Sequence, residues 1–268
     1  MGYALKYIYH DCFILETEKA VLIFDYWKDP LIENNKSENP LFLREINVNK
    51  KIYVLISHHH KDHFSRKVFT WNLLFTEITY IISKDTFSFA RHLLLEKGNY
   101  KGYKPPIKNI NVLNPGEIFK DDYIKVRAFD STDTGNSYAI ETMCGLKIFH
   151  AGDLNAWLWR QESSEKEITD AIIRFSNIID SIAAHYNKFN LVMFPVDSRQ
   201  GADFWFGAKY FVKHIKTDLF VPMHFELGET EKEKEQRRID AASFHLYARL
   251  DYGAYLQLAS TRSCYCTK

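Results

Sequence analysis

The stretch "KKIYVLISHHHKDHF", residues 50–64, restricts this chain more than any other. Its first half is an unbroken apolar, β-branched run of the length and composition of a buried strand. Its second half sets four histidines and an aspartate into six positions directly after that strand. In α/β architectures ligands gather where strands end and helices begin, so this junction marks both a fold class and a site.

The spacing carries the chemistry. His58 and His60 lie two apart on an extended segment and point the same way. The turn that follows presents Asp62 and His63 as a second set of donors. Imidazole nitrogen and carboxylate oxygen suit zinc, and also iron or manganese. A His-x-His-x-Asp-His match arises by chance on the order of once in a thousand sequences of this histidine content. A histidine-rich surface loop is the plain alternative, and the register after a buried strand speaks against it. His59 falls out of phase and reads as a neighbour of the ligands.

Around that junction the chain alternates strands and helices. "YALKYIYH", "CFILET" and "AVLIFDY" read as strands, and residues 28–48 as a polar loop. Ser65 has the character of an N-cap for a helix over "RKVFTWNLLF". "ITYIIS" reads as a strand, and "DTFSFARHLLLEKG" as a helix closing on Gly98. From Ile110 to His150 the pattern is strand-rich, with a hairpin turn at "MCGLK". The spacing then predicts a helix from about Glu165 to His185, with Ile168, Ala171, Ile172, Phe175, Ile179 and Ile182 on its inner face. "LVMFPV" and "DLFVPMHF" are strands, "DFWFGAKYFVKHI" a helix, and "ETEKEKEQRRIDAASFHLYARL" a charged helix with a solvated face. Two such halves fit an α/β sandwich of four layers, although the pattern alone does not separate it from other α/β folds. No repeat or linker divides residues 1–268, which read as a single domain.

Composition removes several classes. Formal net charge is +1, so no global field draws nucleic acid or an anionic membrane. "MGYALKYIYHDC" lacks the layout of a signal peptide, and no apolar run is long enough to span a bilayer. Cys12, Cys144, Cys264 and Cys266 form no disulfide framework, which points to a reducing cytoplasm. Cys264 and Cys266 read as tail sequence. There is no Gly-x-Ser-x-Gly elbow, P-loop or dinucleotide fingerprint.

"HHHKDH" resembles the signature of the metallo-β-lactamase-fold hydrolases, and the other family elements follow in order. The resemblance implies the four-layer αββα sandwich. It matches Asp25 in "LIFDYW" to an aspartate supporting the loop, Asp153 in "IFHAGDLN" to a residue bridging two metals, and His224 in "LFVPMHF" to the last ligand. "YIYHDCFILE" resembles the opening strand of lactonase-like branches, where a histidine like His10 lies near the site. The resemblance thus implies metal ligation by His58, His60, Asp62, His63, Asp153 and His224. Where the family has a further histidine, this chain reads Asp130-Ser131-Thr132-Asp133, so Asp130 or Asp133 supplies a carboxylate there or one position stays weak. His92, His185, His214 and His245 lie on expected helices and read as structural.

The activity so implied is hydrolysis of an ester, lactone or phosphodiester in a small, anionic substrate. Zinc is the expected cofactor, as one or two ions, with manganese or iron as alternatives. A metal that keeps an open position lowers the pKa of bound water to about 7. Asp62 is then the catalytic group that orients the hydroxide or takes its proton. Asp153 argues against antibiotic hydrolysis, and His60 against redox work. Arg199 reads either as an anion clamp or as an ion-pair partner of Asp197 or Asp203, and Trp157 and Trp159 as packing close to Asp153. The competing view is a degenerate member that binds a ligand or partner without turnover.

Overall fold

A computed structural model describes residues 2–28, 41–94, 107–225, 230–252 and 264–267. The chain divides into two compact units, residues 1–114 with 259–268, and residues 115–258.

The first unit is built on a sheet of seven strands in the order β13-β1-β2-β3-β4-β5-β6. They are β1 Tyr3–Tyr9, β2 Cys12–Glu16, β3 Ala20–Phe24, β4 Lys51–Ile56, β5 Ile78–Ser83, β6 Ile110–Leu113 and β13 Cys264–Thr267. The strands from β13 to β3 pair antiparallel, and those from β3 to β6 pair parallel. The parallel half explains the sequence: β4 and β5 are buried along nearly their whole length, and only continuous Ile/Val/Tyr runs tolerate that. Beneath them Trp71 packs with Tyr26 and Phe42, while the Tyr80 hydroxyl donates to the Val68 carbonyl at 2.8 Å. Each such fully buried side chain contributes about 1.5–3 kcal/mol.

The segment after the histidines forms a 3₁₀ helix over Arg66–Leu73, not an α-helix. Ser65 caps it by accepting from Lys67 N at 3.4 Å. Val68, Phe69, Thr70, Trp71 and Asn72 are weak α-formers, and the tight turns suffice to bury Val68, Phe69 and Trp71. Helix α1 runs over Lys84–Leu94. Its expected close at Gly98 lies outside the described residues, as does most of the 28–48 loop. Cys264 and Cys266 belong to a strand that pairs with β1, not to a loose tail.

The second unit has six strands in the order β12-β11-β10-β9-β8-β7. They are β7 Ile118–Lys120, β8 Ile124–Phe129, β9 Ser137–Thr142, β10 Lys147–His150, β11 Lys188–Pro195 and β12 Lys216–Met223. Here β10, β11 and β12 are parallel. Helix α2 spans Glu165–His185 as the spacing predicts, started by a capping box between Ser164 and Glu167. It buries Ile168, Phe175, Ile178, Ile179 and Ile182, leaving Ala171 and Ile172 half-buried. The stretch expected as one helix from Asp203 breaks into a 3₁₀ turn, Ser198–Asp203, and α3, Phe206–His214. Phe211 of α3 stacks on Phe149 of β10 at 5.0 Å. Helix α4, Glu231–Tyr252, follows β12. No helix among the described residues is long and apolar enough to cross a membrane.

One regularity positions the chemistry. Every parallel strand but β6 is followed within a few residues by a histidine or aspartate of the candidate site. Asp25 follows β3, Ser57–His63 follow β4 and Asp85 opens α1 after β5; Asp153 follows β10, Asp197 follows β11 and His224 follows β12.

Candidate metal centre

In the first unit, Asp25 organises the histidine turn. The residue is buried, and its Oδ1 accepts from Ser57 N at 2.7 Å. Its Oδ2 accepts from Ser57 Oγ at 2.5 Å and lies 2.9 Å from His63 Nδ1. Ser57 Oγ is also 3.0 Å from His58 Nδ1. Both histidines are thus held by Nδ1, which fixes the orientation of each ring and the direction of its Nε2. His58 Nε2 lies 3.1 Å from His60 Nδ1. Two nitrogens bound tetrahedrally to zinc at about 2.0–2.1 Å stand about 3.3 Å apart, so this pair fits a common cation. His60 O accepts from the amides of His63 and Phe64, closing the turn that carries Asp62. Asp62 is half-buried, and its Oδ2 lies 3.8 Å from His10 Nε2.

His59 stands apart from that set, as its phase in the sequence predicts. Its backbone N–H donates to Asp85 Oδ2 at 2.9 Å, and its ring Nδ1 lies 2.8 Å from the same oxygen. Burial works to raise the Asp85 carboxyl, but hydrogen bonds from Ser83 and His59 outweigh it and hold the group below its ordinary value. The peptide joining His58 and His60 is thereby pinned to the start of α1.

The second unit repeats the arrangement. His224 is buried, with Nδ1 3.0 Å from Asp197 Oδ2 and Nε2 3.3 Å from Asp153 Oδ1. Arg199 donates Nε to both Asp197 oxygens, at 2.9 and 2.7 Å, and an NH2 group to Oδ2. Burial works to raise the Asp197 carboxyl, but the hydrogen bonds and positive charge of His224 and Arg199 prevail and keep it far below the ordinary range. Of the two readings of Arg199, the ion pair with Asp197 is the one formed, while Asp203 pairs with Arg160.

Gly152 takes φ 53 to turn the chain into Asp153. Thr132 Oγ1 then donates to Asn155 O at 2.6 Å and accepts from Asn155 N at 3.0 Å, tying the 130–135 loop to the loop carrying Asp153. Both candidate substitute carboxylates are exposed; Asp133 brings an oxygen within 4.8 Å of one of Asp153, whereas Asp130 accepts from Ser131 N. Trp157 donates Nε1 to Asp153 O at 2.8 Å and sets its ring edge against His224 at 5.1 Å; Trp159 stacks behind it at 6.2 Å. Both tryptophans therefore act as packing for the ligand loop.

Backbone strain collects in the same places. Of five described non-glycine residues with positive φ, four are His10, Asp25, Trp157 and His224. Such conformations cost about 1–3 kcal/mol each and persist where the surroundings impose them, most often at functional sites. Sequence reasoning singled out His58, His60, Asp62, His63, Asp153, His224 and Asp25, named Asp197 only as a partner of Arg199, and missed Asp11, Asp85 and the contact of Asp197 with His224. Their signal was positional, an aspartate at a turn or just after a strand. His92, His185 and His214 lie exposed on their helices, and the His245 side chain lies outside the described residues.

The β-lactamase superfamily domain matches residues 4–174, more than half of the chain. Among curated proteins none matches. Of solved structures, Igni18, a metallo hydrolase from the archaeon Ignicoccus hospitalis, aligns with TM-score 0.58 and 17% identity, covering 100% of this chain and 99% of its own. YhfI from Bacillus subtilis, a metallo-β-lactamase fold protein, aligns with TM-score 0.58 and 9% identity over 99% of both chains. CmlA, a diiron β-hydroxylase from Streptomyces venezuelae, aligns with TM-score 0.66 and 11% identity over 98% of this chain and 54% of its own. The chain belongs to the β-lactamase superfamily and has the mixed α/β, two-sheet metallo-β-lactamase fold.

Proposed function

We propose that the protein is a metal-dependent hydrolase in which His58, His60, Asp62, His63, Asp153 and His224 hold one or two ions. The observation that carries this reading is the spacing and orientation of the donors. In both units a carboxylate fixes a histidine by Nδ1, and its Nε2 faces another ligand-type atom at about the separation of two donors on one ion. Zinc, manganese and iron all accept nitrogen and carboxylate oxygen. When bound, the metal supplies Lewis acidity and makes water acidic enough to react near neutral pH.

The protein's own groups do the rest. Asp62, half-buried beside His10, accepts the proton of the attacking water and keeps its lone pair aimed. Asp25 and Asp197 hold the histidines against rotation, and Arg199 keeps Asp197 ionised under burial. Asp153 supplies anionic charge where two cations would repel. An ester, lactone or phosphodiester bond in a small, anionic molecule suits this constellation, and zinc is the first ion to try.

The test combines metal content with turnover of esters, lactones and bis(nitrophenyl) phosphate. Loss of activity on chelation, its return with metal, and loss of activity in Asp62→Ala support the reading. Full metal loading without turnover of any ester, lactone or phosphodiester in the panel contradicts it and favours a ligand-binding role.

A further inference from the structure

The turn joining β1 to β2 has two residues, His10 and Asp11, because Tyr9 pairs with Cys12 across the hairpin. Its first residue takes φ 57, where such turns favour glycine for want of a Cβ. The His10 backbone N–H donates to the Tyr7 hydroxyl at 2.8 Å, so the strained turn is also tied down. The second residue, Asp11, is fully buried. A carboxylate so far from water needs compensating positive charge.

Asp11 Oδ2 lies 3.2 Å from His63 Nε2 and 3.7 Å from His10 Nε2. The other nitrogen of His63 already faces Asp25 at 2.9 Å. One imidazole is therefore flanked by two buried carboxylates, one at each nitrogen. Asp25 occupies the orienting side, so Asp11 stands on the side that faces the ion. A divalent cation at Nε2 answers both charges at once. His10 and Asp62 bring donors within 4.8 Å of that same His63 atom or its partner nitrogen, so the neighbourhood is one of ligand atoms throughout.

We propose that Asp11 is itself a metal ligand, binding through Oδ2 beside His63 and Asp62. This rests on the metal-binding reading above and adds a donor that the histidine motif does not contain. Asp11 and Asp62, whose Oδ2 atoms lie 3.7 and 3.8 Å from His10 Nε2, then make the position of His63 rich in carboxylate oxygen, while His58 and His60 give their ion two imidazoles. Oxygen-rich sites suit manganese and iron(II), whereas zinc favours fewer and more nitrogenous donors. The two positions therefore differ in metal preference, with manganese or iron beside Asp11.

The experiment titrates the full-length metal-free protein with manganese and with zinc against a chromophoric chelator, and records the visible spectrum of the cobalt-loaded form. Asp11→Asn is expected to weaken manganese binding at one position tenfold or more, to leave zinc binding at the other unchanged, and to shift the cobalt bands toward lower coordination number. A purely structural Asp11 lowers thermal stability and leaves the bands alone, which overturns the proposal. So does wild-type affinity in Asp11→Asn while His63→Ala loses one ion, an outcome that spares the parent reading. Retention of both ions by His63→Ala overturns both. If Asp11→Asn does not fold, Asp11→Glu keeps the charge: altered cobalt bands support ligation and unaltered bands refute it.

Discussion

Asp25 provides the most quantitative consequence of this arrangement. Its carboxylate accepts from Ser57 N at 2.7 Å and from Ser57 Oγ at 2.5 Å, and it faces His63 Nδ1 at 2.9 Å. Truncation to alanine strands three buried donors. A hydrogen bond to a charged acceptor contributes about 1.5–3 kcal/mol, and a buried donor left without one costs about 1–3 kcal/mol. Losses within one network do not add fully, so Asp25→Ala in the metal-free protein should lose about 4 kcal/mol. Asp25→Asn separates stability from function. Asparagine tolerates the φ of 40 at this position and still accepts from Ser57 N. Its amide, however, presents a donor to His63 Nδ1. His63 then places its proton on Nε2, the nitrogen that faces the ion. Metal affinity should fall about 10–100-fold, the usual effect of losing such an orienting partner. Guanidinium melts measure the first effect and chelator competition the second. A loss under about 1 kcal/mol in Asp25→Ala, or wild-type affinity in Asp25→Asn, refutes the reasoning.

Other expectations follow from the same geometry. Asp197→Asn should weaken metal binding through His224 in the way Asp25→Asn does through His63, and the two effects should add if the networks are independent, as double-mutant titration will show. The Asp85 carboxyl sits below its ordinary value when folded, so its ionisation stabilises the native state above the ordinary carboxylate range. That advantage over Asp85→Asn should vanish as pH falls through the lowered value, in melts of metal-free protein run from pH 7 to pH 2. Gly207→Ala should disturb the Asp153 loop, because a Cβ there would lie 1.9 Å from Asn155 Oδ1, itself bonded to Ala156 N. Reduced metal affinity with α2 and α3 intact by circular dichroism is the expected signature.

What the sequence revealed followed from period and position. The period-two spacing of His58 and His60 survives folding, with His58 Nε2 and His60 Nδ1 3.1 Å apart just beyond the end of β4. The helix from about Glu165 to His185 was legible from its apolar stripe, and the structure adds a capping box at Ser164 that fixes its start. Strand β7 escaped notice because three residues with exposed ends leave no alternation to detect. The residues after His63 look helical by pattern, but β-branched and aromatic side chains settle for 3₁₀ geometry once Trp71 is buried. Asp11, Asp85 and the contact of Asp197 with His224 were missed for a different reason. Each aspartate supports or flanks a histidine whose position it does not share in sequence, 52, 26 and 27 residues away. Parallel pairing that aligns strand ends brings Asp85 and Asp197 to their histidines, and the antiparallel β1–β2 hairpin brings Asp11 to His63. Asp25 was found because the family resemblance pointed to it, and Asp197 does the same work for His224.

The direct test is an anomalous difference map from a crystal of the metal-loaded protein, collected at the metal's absorption edge. The account predicts one or two peaks about 2.0–2.2 Å from His58 Nε2, His60 Nδ1, His63 Nε2 and His224 Nε2. A fully loaded crystal with no peak at those nitrogens, or with the metal bound elsewhere, contradicts it.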